Sequence, residues 1–239
     1  MKPVAIYWYK GSEIEQRNFG DCVAPVLMRF FADRAPVWTA PEKADVFSIG
    51  SIVSRIPDGF RGVVLGTGTI SKDVKKDLSR ARVLAIRGAA SREACRAPKE
   101  TLLADPGILI PLLFEDIKLT PTFDKVICPH YVDKEMAGRH PGLARVDILA
   151  NHRAVVTGIA RARTLITSSL HALICADALG IPHILEPHRD VRGGLWKFND
   201  YASAFGTTIT PGVRRLTPRP AMRSKQAALR AAFQKLART

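Results

Sequence analysis

With 239 residues, 46% of them hydrophobic and 24% charged, the chain has the composition of an ordinary globular protein and room for one large domain or two small ones that share a cleft. No stretch approaches the ~20 consecutive apolar residues of a membrane-spanning helix, and the opening segment from Met1 to Tyr7 reads as a strand rather than a secretory leader, so a cytoplasmic location is expected. The net charge of +14 favours anionic partners, but the basic residues are not interleaved with aromatics and form no recognisable nucleic-acid module, which argues against nucleic acid.

In chain order, strands are predicted at Val4–Tyr9, Val46–Ile52, Gly62–Leu65, Arg82–Ile86, Thr101–Leu103, Val126–Cys128, Val146–Leu149, Thr164–Thr167 and His183–Leu185. Helical patterns lie between them, at Asp21–Phe31, Ser91–Ala97, His152–Ala162 and Leu170–Leu179. Asn151 is placed to cap the third, and Gly180-Ile181-Pro182 stops the fourth. Strands alternating with helices predict an α/β fold of two Rossmann-like lobes with parallel sheets and a cleft between them. The irregular connection around Pro111–Pro121 divides the chain into an N-terminal lobe, 1–113, and a C-terminal lobe, 114–239.

After Asp200 no acidic residue occurs, while Arg214, Arg215, Arg219, Arg223, Lys225, Arg230, Lys235 and Arg238 do. The segment Met222–Leu236 reads as a helix with Met222, Leu229, Phe233 and Leu236 near one face. Two readings stand: a helix packed on the domain with a solvated basic face, or a basic amphipathic helix lying on the inner membrane surface. The cysteines Cys22, Cys95, Cys128 and Cys175 are far apart, form no CxxC pair and have no histidine at ligand spacing, so no metal site is expected.

The most informative segment runs from Thr164 to Pro182. A buried strand ends in Ser168-Ser169 and passes directly into a helix, and the free N–H groups of such a helix start attract anions. His171 falls in the first helical turn, where it faces the crevice at the strand ends and suits proton exchange. Arg87 follows a buried strand and precedes Gly88, which places a guanidinium at another strand end. His130, in Cys128-Pro129-His130-Tyr131, reaches the cleft by the same logic or is a loop histidine without a role. Asn18 and Asp21 suit sugar hydroxyls; capping of the helix from Asp21 also explains Asp21. Trp196 and Tyr201 are read either as sugar-stacking or as packing aromatics.

Taken together these segments resemble the polysaccharide pyruvyl transferase family, in its exopolysaccharide (succinoglycan-type) branch. The carriers are Asn18-Phe19-Gly20-Asp21, Gly66-Thr67-Gly68, Arg87-Gly88-Ala89-Ala90-Ser91, Ala104-Asp105-Pro106-Gly107, Ser168-Ser169-Leu170-His171 and Trp196-Lys197-Phe198-Asn199-Asp200-Tyr201, in order along residues 5 to 201. The resemblance implies a GT-B-like fold and transfer of the enolpyruvyl unit of phosphoenolpyruvate, as co-substrate, onto a lipid-linked oligosaccharide or other saccharide acceptor, with no further cofactor. It implies His171 and His130 as catalytic residues, Arg87, Ser168, Ser169, Lys197, Gly66 and Gly68 at the donor, and Asn18, Asp21 and Trp196 at the acceptor. Many members carry arginine where Ser169 stands, so another cation must serve the donor here; Arg87, Arg161, Arg163 and Lys197 are the candidates. A two-lobed glycosyltransferase using a nucleotide sugar, and an inactive homologue, are the competing readings.

Overall fold

The computed structural model describes residues 1–14 and 17–237; Arg238 of the basic tail lies outside them. The first half contains β1 (Lys2–Tyr7), α1 (Ala24–Ala32), β2 (Arg34–Trp38), β3 (Val46–Phe47), β4 (Val63–Leu65), β5 (Arg82–Ile86), α2 (Ala89–Ala94) and β6 (Leu102–Leu103). Its six strands form one parallel sheet in the order β2-β1-β3-β4-β5-β6. A 3₁₀ segment, Pro106–Leu113, leads into the second half. There follow β7 (Phe123–Cys128), α3 (Met136–Arg139), β8 (Ala144–Arg145), α4 (His152–Ala160), β9 (Ala162–Thr167), α5 (Leu170–Leu179), β10 (His183–Leu185), α6 (Gly194–Ser203), β11 (Arg214–Arg215) and α7 (Arg219–Ala237). The second sheet has the order β11-β10-β9-β7-β8 and is parallel except for the β10/β11 pair. The protein is thus a two-lobed, mostly parallel α/β structure of Rossmann type.

Elements form where pattern and burial agree. The β9 run Leu165–Thr167 is fully covered, as expected of a strand sandwiched between helices. All ten residues of α5 are buried, which is why its sequence shows no polar face. Ser169 caps α5, accepting from the Ala172 N–H, and Gly180 ends it at φ 75°, a left-handed position that costs glycine little. Asn151 caps α4 through the Ala154 N–H, as its position in the sequence anticipates.

The differences have local causes. Strand β2 follows α1 almost at once and contains Pro36, which marks it as non-strand in a sequence reading; it is an edge strand, where a missing N–H is tolerated. The strand expected at Val146–Leu149 ends earlier: β8 is Ala144–Arg145, and the Asp147 carboxylate then accepts from the Leu149 N–H and turns the chain. The strand expected over Val46–Ile52 stops at Phe47, and the chain bends at Gly50 (φ 103°). Helix α6 was not legible as a helix, since it opens on Gly193-Gly194 and is rich in aromatic and Asn/Asp residues.

Helix α7 crosses back to the first sheet. Its buried stripe, Met222, Gln226, Leu229, Phe233 and Leu236, lies against α1 and the 3₁₀ segment. Phe233 meets Phe31 at 6.1 Å, and Arg34 of β2 donates to the Leu236 carbonyl at 2.9 and 2.7 Å. The packed reading of this helix is therefore correct, with the basic side chains on its outer face. No helix among the described residues is long and apolar enough to cross a membrane.

The lobes are joined by a buried ion pair. Arg87, directly after β5, and Asp200, on α6, are both fully inaccessible and meet at 2.8 Å. Asp200 also accepts from the Ser91 N–H (2.8 Å) and the Ser91 hydroxyl (2.5 Å). The guanidinium further donates to Ser51 Oγ (2.7 Å) and the Thr69 carbonyl (2.5 Å). A buried charge stripped of its partner costs about 3–5 kcal/mol. Asp200→Ala should therefore lower unfolding stability by about that amount in urea titration; a loss below about 1 kcal/mol would show that the pair does not hold the lobes.

Candidate active site

Between the lobes lies a cleft of about 690 Å³. Its base is formed by Ser169, His171 and Lys197, at the start of α5 and in the first turn of α6. Asn18, Asp21, Ser51 and Ile52 line the first-lobe wall, and His130 and Tyr131 the opposite wall. Arg55, Lys134, Arg192 and Asp190 stand at its more exposed positions.

His171 is brought there by α5 and is 92% covered, with an exposure of only 8%. Its ring lies flush on Gly20: a Cβ on that residue would lie 1.7 Å from His171 Nδ1. The Asn-Phe-Gly-Asp segment of the first lobe is thus pressed onto the histidine of the second, and only glycine permits it. Phe19 N–H donates to the Ile148 carbonyl at 3.2 Å and fixes this crossing. Burial, then the positive charges of Lys197 and Arg87 and the neighbouring His130, push His171 down to about 3, so the imidazole is neutral at pH 7 in the free protein.

His130 borders the cleft with its ring tilted at 33° against Tyr131, the centroids 4.4 Å apart. Its Nδ1 accepts from the Val132 N–H at 3.4 Å, which leaves the proton on Nε2 and makes the neutral ring a donor. Burial and then Lys197 push it down to about 3 as well. Its backbone is held by Ser168, whose hydroxyl accepts from the His130 N–H (3.0 Å) and donates to Asp133 (2.8 Å). Ser168 is itself fully buried behind the cleft. The donor contact expected of it is replaced by this bracing role, whereas Ser169, the α5 cap, does line the cleft.

Lys197 is the cation at the base. It makes no hydrogen bond or ion pair to a protein acceptor among the described residues, and its Nζ sits 5.6 Å from the centre of the Phe198 ring. Burial and then Arg87 push it down to about 8, with Asp21 acting the other way. Asn18 Nδ2 donates to Asp21 Oδ2 at 2.7 Å. Asp21 is not a helix cap: that position belongs to Gly20 at the start of a 3₁₀ turn, and the carboxylate borders the cleft.

Four expectations are corrected. Arg87 does not border the cleft; its guanidinium ends on Asp200, Ser51 and Thr69, so it reaches a ligand only through Ser51 and through its field. Gly66 (φ 93°) serves close packing, since a Cβ would lie 2.4 Å from Pro106 Cδ. Gly68 makes room for the ion pair, since its Cβ would lie 2.3 Å from Arg87 Cζ. Trp196 donates to Thr69 Oγ1 at 3.0 Å and braces α6 on the first lobe, away from the cleft. Tyr201 is buried with its hydroxyl on Asp177 (2.8 Å), in line with its packing reading. Arg161 lies over Phe123 and Arg163 is exposed on β9; neither borders the cleft. The sequence reading missed Ser51, Lys134 and Arg192, which stand in loops, and Arg55, which ends a short 3₁₀ turn; none carries a motif.

No protein-family model matches the chain. It is similar to the succinoglycan biosynthesis protein ExoV of Rhizobium meliloti (strain 1021). The two are 25% identical over 223 residues, which span 88% of this chain and 67% of that protein. This similarity agrees with the exopolysaccharide branch of the family that the sequence motifs resemble.

Because His171 and Gly20 are in contact across the lobes, Gly20→Ala should displace the imidazole and break cleft ligand binding while the remaining core stays folded. Near-wild-type binding by a variant of unchanged melting temperature would show that the loop yields freely.

Proposed function

We propose that this protein is a pyruvyl transferase that moves the enolpyruvyl group of phosphoenolpyruvate onto a saccharide of an exopolysaccharide precursor and forms a pyruvate ketal. The observation that carries the reading is the base of the cleft, where an unpaired buried lysine and two neutral imidazoles gather at the start of α5. A small polyanion answers this arrangement: it supplies the negative charge that Lys197 lacks and opposes the burial and the positive fields that keep His171 neutral. Similarity to a succinoglycan biosynthesis protein supports a saccharide acceptor.

In this scheme phosphate and carboxylate lie against Lys197 and the N–H groups of α5. Their charge raises His171 until it takes up a proton, which it then gives to the methylene carbon of the donor. The C2 centre becomes oxocarbenium-like, and a sugar hydroxyl adds to it. A second hydroxyl of the same sugar then forms the other C–O bond as phosphate departs, and both hydroxyl protons are released. Asp21, held by Asn18, is placed to accept a hydroxyl proton, and the Nε2–H of His130 to donate to a donor oxygen. Arg87 contributes by fixing Ser51 and by its charge.

The first test is calorimetric titration with phosphoenolpyruvate in two buffers of different ionisation enthalpy, with UDP-glucose as control. Saturable donor binding with net proton uptake near pH 7 is expected, because His171 starts neutral. Affinity should fall as pH rises through about 8, where free Lys197 loses its charge, and Lys197→Met should remove most of it. Binding of the nucleotide sugar alone would instead assign the cleft to glycosyl transfer.

A further inference from the structure

Asp105 lies two residues after β6, at the head of the 3₁₀ segment that packs on α5. It is fully buried, and only one of its oxygens is used: Oδ1 accepts from the Gly107 N–H at 2.8 Å, while Oδ2 has no partner. The opposing face of α5 holds a second unpaired buried atom, His171 Nε2. Both residues border Gly107. A Cβ there would lie 3.1 Å from Asp105 Oδ1 and 3.6 Å from His171 Cδ2, the ring carbon bonded to Nε2. A carboxylate oxygen and an imidazole nitrogen left open on two buried side chains that flank the same glycine are complementary, and each is costly to leave unpaired. No direct hydrogen bond or ion pair joins them, and one water with a partner on each side would satisfy both.

We infer that Asp105 is the positioning residue for His171: its Oδ2 takes the Nε2–H of the imidazole through one bridging water in the gap beside Gly107, fixing the Nε2–H tautomer. Nδ1, against Gly20 in the loop that forms the cleft wall, is then the nitrogen that gains and gives the proton. The carboxylate also stabilises the imidazolium once a ligand has brought its own negative charge. This catalytic consequence rests on the pyruvyl-transfer reading; the hydrogen bond does not. Other charges face the pair and are part of its titration. Arg87, Asp200 and Asp21 act on Asp105, and Lys197, Arg87 and His130 act on His171. Burial pushes the Asp105 carboxyl up to about 6, with Arg87 and the Gly107 N–H opposing, so the carboxylate form is the major one at pH 7.

The test is nitrogen-15 NMR of the histidine rings, with His171 assigned through a His171→Gln variant. Wild-type His171 should show a protonated Nε2 and an unprotonated Nδ1. Asp105→Asn keeps the cap, since the amide oxygen still accepts from Gly107, but loses the charge. The ring should then become a tautomer mixture, and kcat should fall about tenfold to a hundredfold with little change in the KM for phosphoenolpyruvate. With phosphoenolpyruvate bound, the His171 midpoint should drop by about one pH unit, a tenfold change in proton affinity. A His171 spectrum identical in wild type and Asp105→Asn would overturn the proposal. Should that variant not fold, Gly107→Ala puts a methyl group into the same gap with both side chains intact, Ile174 giving way slightly. It should produce the same mixture; an unchanged ring there overturns the proposal equally. The ligand-free spectra decide the hydrogen bond, whereas failure of phosphoenolpyruvate to bind the wild type would count against the pyruvyl-transfer reading alone.

Discussion

The site depends on one buried charge pair. Arg87 and Asp200 come from opposite lobes, have no access to water, and satisfy each other and the surrounding hydroxyls. Such a pair adds little net stability, because desolvation offsets most of the attraction, but breaking it leaves a charge that the interior cannot solvate. Its effect is geometric. Asp200 stands one helical turn after Lys197 on α6, so the same contact that docks α6 on the first lobe sets the lysine at the base of the cleft. The guanidinium also orients Ser51 and imposes a positive field on both Lys197 and His171.

A second crossing works by contact rather than charge. The loop of Asn18, Phe19, Gly20 and Asp21 leaves the first sheet, ties its backbone to Ile148 of the second lobe and lies flush on His171. The two crossings hold a histidine, a lysine and a carboxylate around one space with little freedom. Preorganisation of that kind is what charge-developing chemistry requires, since no reorientation is left for the moment of reaction. Burial has a further consequence: both imidazoles are held neutral at pH 7 in the free protein.

Much of this was legible in the chain. Within the span from Thr164 to Pro182 the cap, helix and stop match the sequence reading to the residue and the strand begins only two residues earlier, at Ala162, because a fully buried strand, a serine cap and a Gly-x-Pro ending are local signals. The amphipathic spacing of Met222, Leu229, Phe233 and Leu236 likewise determined α7 and its buried face. His171, Lys197, Asn18 and Asp21 were named from sequence and meet in one cleft, because each sits at a strand end or a helix start, and parallel α/β sheets collect such positions on one side.

What the tertiary structure alone decided is which of these residues border the cleft and which hold the others in place. Arg87 and Lys197 are equally plausible cations in a sequence. Only the meeting of β5 with α6 consigns the first to an ion pair and leaves the second without one. Gly66, Gly68 and Trp196 have the look of a binding turn and a stacking ring, yet their neighbours are Pro106, Arg87 and Thr69. The opposite holds for Asp105, whose local role is a cap and whose open oxygen matters only because a helix more than sixty positions later brings an imidazole to the same glycine. Periodicity and capping are short-range and can be read along the chain. Partnership across a lobe interface depends on which surfaces fold against each other, and the spacing of residues in the chain does not encode it.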